Sequence, residues 1–320
     1  MALISSLLSS QPFIVLDGGL ATELESRGAD LNDSLWSAKL LSENPELIRQ
    51  VHLDYFLAGA DVAVTASYQA SFRGLQDHRG FDETQSRELV QLSVKLALEA
   101  KEEAQKLQPG RRFAIAGSVG PYGAFLANGA EYRGDYDVPE NEMKAFHFGR
   151  MQTLVNAGVD ILALETMPSF PEILALLELL KEFPNTNAWV SCTVRDERAL
   201  SDGTSLSTVV KALNGCSQVI ALGVNCIPES DVTTILKHMK TITSKPLIAY
   251  PNSGELYDAA DKAWKGERVD GQRLEARVRE WRQAGARFIG GCCRTGPEDI
   301  KTIKSILLST VRNTTKEHEI

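Results

Sequence analysis

Cys292 and Cys293 stand side by side in FIGGCCRTG (288–296), and Cys226 closes GVNC (223–226). Thiolates are soft ligands that favour zinc over magnesium or calcium, and three of them around one cation with a fourth position open have the form of a catalytic zinc site. Spacing by itself leaves two other readings standing: a pair of small buried core residues, or a vicinal disulfide. Adjacent residues on an ideal strand face opposite ways, so Cys292 and Cys293 share a ligand only if the strand ends or bends there. Gly290 and Gly291 are expected to supply the permissive backbone for that bend. Cys192 and Cys216 read as structural. His52, His78, His147, His238 and His318 show no clustered ligand spacing, which disfavours a histidine metal site.

Two acids and one long loop complete the chemically interesting residues. Asp17 in LDGG and Glu165 in LETM each follow an apolar run. A carboxylate there either caps or pairs locally, or faces a ligand. The segment GPYGAFLANGAEYRGDYDVPENE (120–142) interleaves Tyr122, Phe125, Tyr132 and Tyr136 with Glu131, Arg133 and Asp135. Aromatic rings beside acids suit a cationic ligand, while rings alone serve equally to pack a long loop onto its scaffold.

Eight short apolar runs must position these residues: FIVLDG (13–18), VAVTAS (62–67), FAIAGSVG (113–120), ILALETM (161–167), AWVSCTV (188–194), VIALGVNC (219–226), PLIAYPN (246–252) and FIGGCC (288–293). Amphipathic helical patterns alternate with them. Near-continuous apolar strands are buried on both faces, which in an α/β chain means a parallel sheet with helices outside. Eight such units predict a single (β/α)8 TIM barrel over residues 1–312, with a loose tail at 313–320 and the site at the C-terminal rim of the strands. The phrases AGADVAVTAS (58–67), AGVDILALET (157–166) and AGARFIGGCC (284–293) repeat a helix end followed by a strand. A doubly wound sheet is the competing architecture, but no G-x-G-x-x-G follows the first strand and no composition break marks a second domain.

Composition limits the partners. Hydrophobic residues make up 43% and charged residues 24% of the 320 residues, with a formal net charge of -8. Without a basic run, neither nucleic acid nor an anionic membrane surface is the expected partner. No apolar stretch is long enough to span a bilayer, and the opening MALISSLLSSQPFIVLDGG is expected to feed directly into the first strand. Five cysteines in a long chain suggest no disulfide framework, so a reducing, cytoplasmic setting is expected.

DGGLATELESRG (17–28), LWSAKLLSENPELIRQVHLDYFLAGAD (35–61), TASYQAS (65–71), GSVGPYGA (117–124), EYRGDY (131–136), LALETMP (162–168), GVNC (223–226), YPNSGE (250–255) and GGCCRT (290–295) together resemble the homocysteine S-methyltransferases, closest to the S-methylmethionine-dependent members. The resemblance runs from about residue 13 to about residue 307 with every motif in order. It implies a zinc-bearing barrel that methylates L-homocysteine to methionine, with S-methylmethionine, or also S-adenosylmethionine, as the sulfonium donor. Cys226, Cys292 and Cys293 fall on the family's zinc ligands. Asp17, Gly18 and Glu165 fall on its homocysteine contacts, and Ser37 stands where a related enzyme anchors the carboxylate with a threonine. Trp36, Tyr68 and Tyr122, together with the acids of the long loop, are the candidates for holding the donor's sulfonium. Tyr68 is followed by Gln69, so the aromatic pair that faces betaine in a cousin family is not intact. The alternatives are a betaine-type or other thiol methyltransferase on the same barrel, and a non-catalytic barrel that binds zinc or thiols.

Overall fold

The computed structural model of the protein describes residues 3–31, 35–258 and 263–317; at Trp36 and Ser37 the backbone is described and the side chains lie outside the described residues. Eight parallel strands form one sheet: β1 (Ile14–Val15), β2 (Val62–Val64), β3 (Ala114–Val119), β4 (Ile161–Met167), β5 (Ala188–Cys192), β6 (Val219–Asn225), β7 (Leu247–Tyr250) and β8 (Ala286–Ile289). β1 pairs with β8, and a parallel bridge from Leu16 to Val62 joins β1 to β2, so the sheet closes into a barrel. All eight expected runs contribute a strand. Helices at Pro45–Ala58, Glu83–Leu107, Glu140–Asn156, Phe170–Leu180, Leu206–Gly215, Glu229–Lys240, Gly271–Gln283 and Pro297–Glu317 alternate with them. The last of these carries helical backbone past residue 312. Among the described residues no helix is long and apolar enough to cross a membrane.

Strand periodicity divides the core in two. Ile14, Leu16, Val62, Ala114, Ala116, Ile161, Ala163, Trp189, Ile248 and Phe288 fill the barrel, whereas their neighbours Val15, Ala63, Ile115, Leu162, Val190 and Leu247 face the helices. The filling is made chiefly of small and branched residues around Trp189 and Phe288, whose rings lie 6.2 Å apart. This leaves a packed interior rather than a pore.

The opening segment departs from expectation. Leu3–Ser10 is a separate helix, and Ile4 and Leu7 join the inner core, plugging the N-terminal mouth of the barrel. Arg287 fastens that plug by donating to the carbonyls of Leu8 (2.8 Å) and Gln11 (3.0 Å). The internal repeat has a physical basis. Gly59, Gly158 and Gly285 end their helices at φ of 130°, 92° and 108°, a region where a side chain is strained. Two residues after the first two glycines, Asp61 and Asp160 accept hydrogen bonds from Val15 N (2.9 Å) and Ile115 N (2.8 Å) of the neighbouring strand. Arg287 occupies the equivalent place in the third copy.

Candidate active site

The three cysteines lie just beyond their strands, since β6 ends at Asn225 and β8 at Ile289. Their sulfur atoms all fall within 4.8 Å of one another, and Cys226 Sγ is 3.8 Å from Cys293 Sγ. Zinc–thiolate bonds of about 2.3 Å in a tetrahedron set sulfur–sulfur edges of about 3.8 Å, so the Cys226–Cys293 edge already has the length a zinc ion requires. Shared hydrogen bonds with Cys292 and Cys293 hold the Cys226 thiol well below the usual thiol range and push the other two above it.

The bend that turns these thiols inward has a different source from the one expected. Neither Gly290 nor Gly291 has positive φ; that conformation falls on Cys226 (φ 55°) and on Arg294 (φ 65°), beside Cys293. The two glycines are needed for close packing. A Cβ on Gly290 would lie 2.6 Å from Leu16 Cβ, and one on Gly291 would lie 2.1 Å from Thr295 Cγ2. Neighbouring loops fix the positions: Cys292 N donates to Pro251 O (2.8 Å), Cys293 N to Asn252 Oδ1 (3.2 Å) and Cys226 N to Tyr250 O (3.2 Å). Glu255 accepts from the Arg294 guanidinium at 3.1–3.3 Å and so holds the left-handed residue after the pair.

Asp17 and Glu165 open onto the same rim. Asp17 accepts from Val64 N (2.8 Å), and burial, reinforced by the charge of Glu165, pushes its carboxyl well above the usual carboxylate range. Glu165 accepts from the Ser118 hydroxyl and, at 3.1 Å, from Tyr250 Oη. Burial raises it to about 7 despite those two donors. Tyr250 in turn accepts from Trp189 Nε1 at 3.1 Å, so the acid stands on a buried chain of neutral groups. The residue after Glu165, Thr166, has φ 63° and is clamped by Asn225, whose side-chain oxygen accepts from Thr166 N and whose amide donates to Thr166 Oγ1, both at 2.8 Å. Gly18 leaves no room for a side chain, since a Cβ would come 2.3 Å from Thr295 O.

The third loop covers the cluster. Tyr132 Oη reaches to 3.3 Å from Cys226 Sγ, while the residue as a whole stays exposed to solvent. Glu131 beside it has a buried Oε2 with no hydrogen-bond partner, and burial raises its carboxyl to about 7. Tyr68 lies beside Thr166 and within electrostatic reach of Glu131, Cys226 and Glu165. Tyr122 is placed differently: its ring packs against Phe146 (4.9 Å), Phe125 (5.4 Å) and Tyr136 (5.6 Å). Ser37 and Trp36 belong to a 3-10 turn, Trp36–Lys39, with side chains outside the described residues.

Sequence reasoning passed over the support beneath this loop. Glu172, in the first turn of the helix Phe170–Leu180, accepts from Tyr122 N at 2.6 Å and from Tyr136 Oη, and pairs with His147 Nε2 at 2.7 Å. Arg150 packs next to His147 and donates to Tyr68 O (2.7 Å) and Gly120 O (2.6 Å). A hydrogen-bonded chain of Arg150, His147 and Glu172, all buried, thus ties the loops after β2 and β3 together. Its members read locally as ordinary helix residues, and only the tyrosine-rich loop above them hinted that something must hold it. Ser118 and Tyr250 were legible only as parts of GSVG and YPNSGE.

Comparison with known proteins agrees with this geometry. Residues 14–307 match the family model described as homocysteine S-methyltransferase. The chain is 53% identical over 302 residues to the homocysteine S-methyltransferase of Escherichia coli (strain K12), covering 94% of this chain and 97% of the relative. It is 50% identical over 304 residues to homocysteine S-methyltransferase YbgG of Bacillus subtilis (strain 168), covering 94% and 96%. The crystal structure of the homocysteine methyltransferase MmuM from Escherichia coli in its metallated form superimposes with a TM-score of 0.87 at 50% identity, covering 94% of this chain and 99% of that one.

Proposed function

The chain belongs to the homocysteine S-methyltransferase family, and from that premise we propose that it transfers a methyl group from S-methylmethionine, with S-adenosylmethionine as a second donor, to L-homocysteine at a zinc site formed by Cys226, Cys292 and Cys293. The observation that carries the reading is the thiol cluster, spaced for a tetrahedral zinc and set beside two buried carboxyls to which no cation among the described residues is bonded. Zinc, when bound, supplies the positive charge that keeps a thiol ionised near neutral pH.

The chain's own residues then bind and align. An amino group arriving between Asp17 and Glu165 brings the cation that both raised carboxyls lack, so each ionises as substrate enters. Ser118 and Tyr250 hold Glu165 in place for that contact. Gly18, packed against Thr295 and Tyr55, is assigned to the amino acid through its backbone, and Ser37 to its carboxylate. Trp36 and Tyr68 are assigned to the donor, where ring faces attract a sulfonium; Tyr122 is assigned there only through whatever part of its ring the cluster with Phe125, Tyr136 and Phe146 leaves open. In the transfer, a bond forms between homocysteine sulfur and the methyl carbon while the donor's methyl–sulfur bond breaks. Its electron pair stays on the donor sulfur, which leaves as the neutral thioether of methionine; the thiol proton is released to solvent. A neutral leaving group needs no general acid, so the barrier falls through alignment and exclusion of water.

One panel tests this reading: zinc-loaded protein and homocysteine with S-methylmethionine, S-adenosylmethionine or betaine at equal concentration. The fastest methionine formation is expected with S-methylmethionine, and absence of turnover with both sulfonium compounds would overturn it.

A further inference from the structure

The Glu131 carboxylate plays no part in the steps above. Its backbone is held from two sides: Thr193 Oγ1 donates to its carbonyl at 2.8 Å, and Gly123 packs so tightly that a Cβ there would lie 2.6 Å from Glu131 N. The next residue, Tyr132, touches Cys226. The acid is therefore anchored on the rim within electrostatic reach of Cys226 and Tyr68. One of its oxygens is buried with no partner. The nearby Arg133 is turned to Asp135 (2.8 Å) and to Asn128 O (3.0 Å). Arg150 is committed to Tyr68 O and Gly120 O.

A buried carboxylate oxygen without a donor is costly, and where one persists in a fixed loop over a reactive cluster, a ligand is the natural source of its missing partner. Charge counting says which ligand. Homocysteine brings one ammonium, and Asp17 with Glu165 already faces it. A sulfonium amino acid brings two positive centres, and the second has no counter-charge in that pair. We propose that Glu131 is the donor-binding residue that selects a positively charged methyl donor by supplying that counter-charge. This inference rests on the sulfonium reading of the preceding subsection. Tyr132 contributes by holding the loop against Cys226, so that the acid stays within reach of the thiol cluster.

The test compares wild type, Glu131→Gln and Glu131→Asp as zinc-loaded enzymes with S-methylmethionine and homocysteine. Glu131→Gln keeps the shape and removes the charge. It is expected to raise the donor KM at least about tenfold, the effect of one charge-assisted contact, and to change kcat less than KM. Homocysteine KM, bound zinc and Tm are expected to stay near wild type, and Glu131→Asp to recover most of the donor affinity. Calorimetric titration of S-methylmethionine into each protein without homocysteine gives the same ranking independently of turnover. A donor KM within twofold of wild type in Glu131→Gln, or equal losses in the Gln and Asp variants, overturns the proposal while leaving the sulfonium reading intact. Wild type that turns over neither sulfonium overturns both.

Discussion

At the N-terminal end of the barrel, Asp61 is buried and fully paired: Lys304 Nζ approaches its two oxygens at 2.9 and 3.0 Å, Arg111 at 3.0 Å, and Val15 N at 2.9 Å. At the C-terminal end, Asp17, Glu165 and Glu131 are held, among the described residues, only by neutral donors, or at Glu131 Oε2 by none. Backbone strain follows the same division. Of the four non-glycine residues with positive φ among the described residues, Thr166, Cys226 and Arg294 lie at the C-terminal rim, and each such residue costs on the order of 1–3 kcal/mol. One end of the barrel satisfies Asp61 internally and holds the fold; at the other, Glu255 pairs with Arg294 while Asp17, Glu165 and Glu131 bond no cation among the described residues.

The contrast is tested most severely at the thiol cluster. Cys292→Ser is expected to lose zinc and to reduce methyl transfer by more than about a hundredfold, beyond what loss of a supporting hydrogen bond does to a metal site. The fold should persist, because the residue lies outside the strands; elemental analysis beside circular dichroism checks both. A variant that retains stoichiometric zinc would remove Cys292 from the ligand set.

At the opposite end the expected effect moves from chemistry to stability. Asp61→Ala leaves two cations and a strand N–H without their shared acceptor, which should cost about 3 kcal/mol of unfolding free energy, the low end for a buried pair because Lys304 and Arg111 are partly solvated. Zinc content and homocysteine KM of the folded fraction should not change. If they do, the two ends are not independent.

Glu165→Gln gives the smallest and most specific effect. Zinc should be retained and homocysteine KM should rise about tenfold, the scale of one charged hydrogen bond. The metal-free protein adds a pH signature. Burial raises Glu165 from 4.5 to about 7 in the folded chain. Between those values the folded form holds a proton that the unfolded chain has released, so this group's contribution is complete below about 4.5 and is lost as pH rises to 7, by roughly 3 kcal/mol. Denaturant midpoints of wild type should fall across that window relative to the Gln variant. Parallel curves would mean that the acid is not strained by burial.

Much of this organisation is legible along the chain, for identifiable reasons. The eight barrel strands are short apolar runs between amphipathic helices, and burial on both faces imposes that pattern locally. The left-handed glycines of the AG-x-D repeats are local too, as C-caps that a side chain would strain. The plug helix Leu3–Ser10 was hidden because an apolar run entering a barrel mouth looks like one entering a strand. The bend at the cysteines was read onto Gly290 and Gly291, whereas close packing against Leu16 and Thr295 claims those positions and the left-handed residues are Arg294, beside the pair, and Cys226 itself. The Glu172–His147–Arg150 support is spread over two helices whose residues make their contacts only after folding.

The sequence by itself therefore determined the barrel, the family and the polar residues that end its strands, because periodicity, caps and motifs are short-range properties. Tertiary structure alone decided that three thiols from two loops fall within 4.8 Å. It also decided that Tyr132 reaches Cys226 from 94 residues away, that Tyr122 turns into an aromatic cluster, and that Glu131 Oε2 is left without a partner among the described residues. The physical reason is ring closure: it brings strand ends distant in sequence onto one rim, and burial there sets which charges remain unpaired.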